Sequence, residues 1–415
     1  AGTEWTAPIK TAFSSYLTGE NAVPYIYLGT IAPTVSASKN QYKVTDSTTG
    51  AETLMNSDTK LVSVIGGNWK DEVLDLAKQK LDVDTTDGGW HAESTQIESG
   101  WYTVSAVTAY KDLGNNKYLR LKIYKNDNSK IEMDVFFDAE NTQSYNENPT
   151  NWASIKYGGF TATEYLEDRF GTTGAADIPN FLYFTKNDSS VSSTSVDESG
   201  VSNRRVSFNN YSSELTSYSI YKSMETLTSK GFTVTLDPFA QGSLPGFTAT
   251  KTTDNGDFVI DFKPGDGDMS LDDDGYLKYG INHGFKVYIY NYEKFDDSKT
   301  DWDSNIKKAM SSNLNGYVLP YFDLGATWKD TLKSNFSSNK LTITAYNYSE
   351  AEFDKAYTAL KNGGWDISYS YSVKDGTIYK GLNGKYEHEG KTFVLDMTPY
   401  ISGFVKYVTL TIQIV

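Results

Sequence analysis

Apolar residues along the chain switch repeatedly between the 3–4 spacing of an amphipathic helix and the alternation of a half-buried strand. Residues 303–314 put Ile306, Ala309, Met310 and Leu314 on one helical face, and Asp301 or Asp303 can cap it. Residues 341–346 alternate as a strand. A second helix opens at 349–352 and places Phe353, Ala356, Tyr357 and Leu360 on one face. Gly363 and Gly364 stop it, because glycine takes positive φ at little cost. Three strand-like runs follow, at 367–371, 391–397 and 405–414.

Two earlier stretches fit the same plan. In the first, 61–65 reads as a strand and 71–81 as a helix with Val73, Leu74, Ala77 and Leu81 inward; strands follow at 102–109, 118–124 and 131–137. In the second, 205–208 is a strand and 219–229 a helix with Ile220, Met224 and Leu227 on its face; later strands are 258–262 and 285–290.

Landmarks tie the three stretches together. Each opens on Trp followed by Ile-Lys: Trp5 with Ile9-Lys10, Trp152 with Ile155-Lys156, Trp302 with Ile306-Lys307. A proline-aromatic block comes next, at Pro24-Tyr25, Pro179-Asn180-Phe181 and Pro320-Tyr321. Each then has Gly-aromatic after a short helix: Gly89-Trp90, Gly231-Phe232 and Gly364-Trp365. The Trp-to-Trp steps are 147 and 150 residues. These landmarks predict three tandem α+β repeats, each helix-strand-helix-strand-strand-strand, with helices on one face of an antiparallel sheet. The expected domains are 1–140, 150–295 and 300–415.

Composition narrows the chemistry. The 415 residues include no cysteine, which excludes disulfides, thiol catalysis and thiolate metal sites. Three histidines, His91, His283 and His388, leave almost no material for a histidine triad or a multi-histidine metal site. A formal charge of −15 disfavours nucleic acid as a partner. No window approaches the ~18 uninterrupted apolar residues of a membrane span. Enrichment in Ser, Thr, Asn and Tyr with only four arginines predicts a secreted or cell-surface bacterial protein, with room for a lipid anchor ahead of residue 1. Nothing resembles a nucleophile elbow, a phosphate-binding Gly-Lys-Ser/Thr loop or a dinucleotide turn.

Two groups of residues remain as candidates. Asp266, Asp268, Asp272 and Asp274 crowd a Gly-containing loop of the kind that suits Ca²⁺. The EF-hand register fails, since its glycine and glutamate positions hold Leu271 and Leu277, so a solvated hairpin loop is expected and no cofactor is required. The repeated aromatics Trp90, Trp365 and Phe232 read as core plugs. The unrepeated aromatics Trp69, Trp101, Tyr102, Trp328, Tyr369 and Tyr371 are the ligand candidates, because flat rings stack on the C–H faces of sugars. Tyr369 and Tyr371 share one strand face.

The resulting expectation is a non-enzymatic surface protein that binds a glycan or a host protein through its repeats. One alternative is a spacer or assembly subunit of a surface layer or appendage, pairing through the terminal strand 405–415. Another is an acid-pair glycoside hydrolase, since 53 acidic residues leave room for a pair.

Overall fold

A computed structural model of the chain describes all residues except 1–2, 47, 83–88, 100–101, 140–145, 185–190, 192–193, 198–204, 267–281, 293–299, 303, 324–326, 329–338, 347–352, 375 and 403–404. Three six-stranded antiparallel sheets account for most of it. The first stretch supplies α1 (Ala7–Tyr16), β1 (Thr34–Thr45), β2 (Glu52–Asn68), α2 (Glu72–Asp82), β3 (His91–Ser99), β4 (Tyr102–Asp112), β5 (Tyr118–Lys125) and β6 (Lys130–Asp138). Its sheet order is β1-β2-β6-β5-β4-β3.

The second stretch opens with a 3₁₀ turn at Trp152–Ser154 and a short hairpin, β7 (Lys156–Tyr157) with β8 (Phe160–Thr161). It continues with α3 (Ala162–Ala176), β9 (Ser195–Asp197), β10 (Arg205–Leu215), α4 (Ser217–Ser229), β11 (Thr233–Gln241), β12 (Leu244–Thr253), β13 (Gly256–Asp266) and β14 (Asn282–Tyr292). The sheet runs β9-β10-β14-β13-β12-β11. The third holds α5 (Ser304–Asn313), β15 (Thr327–Trp328), β16 (Lys340–Tyr346), α6 (Phe353–Asn362), β17 (Asp366–Lys374), β18 (Thr377–His388), β19 (Lys391–Ser402) and β20 (Val405–Ile414), ordered β15-β16-β20-β19-β18-β17. Counted from its own first strand, every sheet is ordered first, second, sixth, fifth, fourth, third.

The three opening tryptophans occupy matching environments. All are buried, and each donates its indole N–H to the carbonyl just before the block's proline: Trp5 to Val23 at 2.9 Å, Trp152 to Ile178 at 3.3 Å, Trp302 to Leu319 at 2.9 Å. Each ring also meets an aromatic of that block edge-on, Tyr25, Phe181 and Tyr321 respectively, at 5.1–5.4 Å. The helix stops agree as well. Gly231 and Gly364 have φ of 83° and 87°, and the aromatic after each donates its amide five residues back, Phe232 to Leu227 and Trp365 to Leu360.

In each sheet the helices cover one face. For the first, Ile9 and Phe13 of α1 and Val73, Ala77 and Leu81 of α2 share a core with Val62 and Val64 of β2, Leu119 and Leu121 of β5, and Met133 and Val135 of β6. The intervening residues Leu61, Arg120 and Phe136 therefore point to the other face.

The structure corrects the expected element order. Each sheet has six strands rather than four, with two strands between the helices and four after them. The strands that pattern reading passes over include β1, β3 and β11, all edges wetted on one side, so their apolar alternation is weak. β18 is interior but contains Gly381 and Gly384, and Gly384 leaves room for Ile367 and Trp365, whose atoms lie 2.6 Å and 3.2 Å from where its Cβ would be. Trp152 also does not open a long helix; α3 starts ten residues later, capped by reciprocal bonds between Thr161 and Glu164. The terminal strand is a further correction. β20 lies between β16 and β19, hydrogen-bonded on both sides, so it offers no edge for another subunit.

Candidate functional site

The face of the first sheet away from its helices meets the second sheet, and the contact is built around one ion pair. Arg120, in mid-β5, donates Nε to Asp138 Oδ2 at 2.6 Å and Nη2 to Oδ1 at 3.2 Å. Its Nη1 donates to the carbonyls of Pro238 and Ser243, both at 2.7 Å, at the turn of the β11–β12 hairpin. Thr59 and Tyr221 of α4 also donate to Asp138, at 2.7 Å and 2.5 Å. Phe136 and Phe239 flank the guanidinium at 5.2 Å and 5.1 Å and pack edge-to-face on each other, with Leu61 and Leu244 beside them. Burial alone would raise the Asp138 carboxyl, but the Arg120 charge and the donated bonds hold it below its ordinary value.

Next to this junction lies a cleft of about 570 Å³. The first sheet contributes His91 from β3, Tyr110 and Asp112 from β4, Tyr118 from β5, and the turn Gly114–Asn116. The second contributes Tyr221, Met224, Glu225, Thr228 and Ser229 from α4 and its flank, with Val234 and Leu236 from β11. Strand alternation explains the first set: Tyr110 and Tyr118 sit out of phase with the core residues Ala109 and Leu119, so they face the cleft.

The rings form a continuous band. His91 stacks on its cross-strand neighbour Tyr110 at 4.8 Å, Tyr110 leans on Tyr118 at 6.4 Å, and Tyr118 stacks on Tyr221 at 4.1 Å. Polar groups sit at its edge. Gly114, Asn115 and Asn116 are consecutive left-handed residues, which asparagine tolerates, and Asp112 Oδ1 accepts the Gly114 amide at 2.7 Å. Asn116 Nδ2 donates across the cleft to Glu225 Oε2 at 3.1 Å. Lys222 pairs with the same oxygen at 2.6 Å, and these two partners hold Glu225 below the usual carboxylate range. Burial, then the nearby Asp112 charge, pushes the Tyr110 and Tyr118 hydroxyls up.

The six aromatics singled out in the sequence lie elsewhere. Trp69 follows β2 and donates its indole to Asp71 at 2.8 Å, ahead of α2. Tyr102 starts β4 and is exposed. Trp101 lies outside the described residues, and of Trp328 only the backbone pairing with Ala345 is described. Tyr369 and Tyr371 are neighbours on β17; Tyr369 stacks on Tyr357 of α6 at 4.8 Å and donates to Asp354, while Tyr371 is exposed. Asp266 ends β13, and Asp268, Asp272 and Asp274 fall outside the described residues, in the connection between the paired strands β13 and β14. Among the described residues no three His, Asp or Glu side chains gather at a metal-binding distance, and no helix is long and apolar enough to cross a membrane.

The cleft tyrosines had a detectable signal in the sequence. Arg120 between Leu119 and Leu121 puts a charge in the centre of an apolar strand, and Tyr110 and Tyr118 share its face. What the sequence could not show is that α4, a hundred residues on, covers that face.

No protein-family model and no curated protein matches the chain. Among solved structures it is similar to a Bacteroides fragilis protein described as a "putative outer membrane protein", at 6% identity over 93% of this chain and 97% of the other, with a TM-score of 0.11. So low a score gives no common fold to argue from.

Proposed function

We propose that the chain is three tandem copies of one α+β domain, within the boundaries 1–140, 150–295 and 300–415, and that it is a non-enzymatic bacterial surface protein that binds a glycan in the cleft between the first two copies. The shared strand order and the matching Trp, Pro and Gly-aromatic contacts support the repeat. The cleft supports the ligand: His91, Tyr110 and Tyr118, backed by the buried Tyr221, offer flat apolar rings, and Asp112, Asn116 and Glu225 at their edge suit sugar hydroxyls. That combination is the observation that carries the reading.

The acid-pair hydrolase fits the same cleft less well. A general acid needs a carboxyl held protonated near neutral pH. Glu225, drawn down by Lys222 and Asn116, is the opposite.

Glycan-array screening of the purified chain, followed by titration calorimetry on any hit, tests the proposal. The expected result is a glycan whose affinity falls about tenfold or more in Tyr110→Ala and in Asn116→Ala, with the melting temperature nearly kept in Asn116→Ala and each variant folded at the assay temperature. A hit whose affinity survives both substitutions overturns the cleft as its site. Release of a reducing end from the bound glycan overturns the non-enzymatic reading.

A further inference from the structure

Three of the six sheet edges carry something that hinders the addition of another strand. β1 has Lys39, Lys43 and two register shifts. β3 has Glu93 and Glu98. β11 contains Pro238 and a register shift, and its turn is held by Arg120. β17 has neither proline nor a register shift, and its charges, Asp366 and Lys374, stand only at its two ends. From Ile367 to Val373 it reads Ile-Ser-Tyr-Ser-Tyr-Ser-Val, without charge or proline, paired to β18 in unbroken register. Its far half is uncovered: Tyr371 is 66% exposed, Val373 71%, and Ile378, paired with Val373, 65%.

We propose that β17 pairs antiparallel with β17 of a second copy about a two-fold axis at Ser370, joining two six-stranded sheets edge to edge. The sequence is complementary to itself in that register. Asp366 falls opposite Lys374, Ile367 opposite Val373, Ser368 opposite Ser372 and Tyr369 opposite Tyr371, with Ser370 opposite its own copy. A slip of one residue would set each serine opposite an aromatic or aliphatic residue and split the two faces. A slip of two would lose the acid–base match at both ends. The packing is complementary too. α6 covers only the first half of β17, where Tyr369 lies against Tyr357. The two-fold therefore carries the exposed Tyr371 and Val373 of each copy alongside the covered Tyr369 and Ile367 of the other. This face lies in the third sheet, so the pairing is independent of the cleft.

Sedimentation velocity of the full chain over a concentration series tests it. The expected result is a monomer–dimer equilibrium in which Ser370→Lys is monomeric with an unchanged melting temperature, since two like charges then meet on the axis. Asp366→Lys should weaken the dimer about tenfold or more, and adding Lys374→Asp should restore it. A wild-type chain that stays monomeric throughout, a Ser370→Lys dimer of undiminished affinity, or a charge-swapped pair without rescue would each overturn the proposal.

Discussion

Arg120 reaches diagonally from β5 to Asp138 on the neighbouring β6, meeting it at 2.6 Å with side chains 0% and 1% exposed. The pair belongs to the first sheet, but beyond the Thr59 bond its remaining hydrogen bonds, to Pro238, Ser243 and Tyr221, come from the second. Removing one partner leaves the other charge buried and unmatched, so Arg120→Ala or Asp138→Ala should each destabilise by about 3–5 kcal/mol. Urea unfolding checks this. Because the same residues join two sheets, the variants should also split the unfolding curve, with far-ultraviolet and tyrosine signals no longer coincident.

The junction should respond to acid in a defined direction. Asp138 is held below its ordinary value of 3.8 in the folded chain. Its contribution is therefore complete above about pH 4 and disappears as pH falls through the lowered folded value. Stability measured from pH 7 down to 2 should decline below about pH 4, and Asp138→Asn should flatten that part of the profile while lowering stability at neutral pH. A decline of undiminished size in Asp138→Asn would assign the acid response to other carboxylates.

Trp365 plugs the core beneath α6, and its indole N–H donates to the Tyr317 hydroxyl at 3.0 Å. Trp365→Ala should cost about 3–5 kcal/mol as a large-to-small core change. Tyr317→Phe, which removes only the acceptor, should cost about 1 kcal/mol. Thermal unfolding of the two variants separates volume from hydrogen bonding.

Calcium should not stabilise the chain. A bound ion at a hundredfold excess over its Kd would add about 2.7 kcal/mol, several degrees for a domain of this size. Melting scans in calcium and in sodium at equal ionic strength should therefore coincide. A calcium-specific rise abolished by Asp272→Asn would show that the acidic loop chelates after all.

How much could be read beforehand depended on where each residue's contacts lie in the chain. α2, α4, α5 and α6 and the interior strands β2, β5, β6, β16 and β20 follow from periodicity, because one of their faces packs into a core built from nearby sequence. The edge strands β1, β3 and β11 gave little signal, whereas the edge β17 alternates plainly and is legible. The candidate site was the least legible part. Tyr118 and Tyr221 are 103 residues apart and touch only because the β11–β12 hairpin and α4 fold onto the outer face of the first sheet. The unrepeated aromatics stand out by departing from the landmark pattern, whereas the cleft rests on aromatics that support one another across two sheets.

The two faces of the first sheet place different demands on sequence drift. On the helix side, Val62, Val64, Leu121 and Met133 can exchange with residues of similar volume one at a time, and neighbours adjust. On the other side Arg120, Asp138 and Tyr221 form a closed set, in which every single replacement strands a partner away from water. Substitutions there have to arrive together, so among descendants of this chain those three positions should either stay as they are or change as a group.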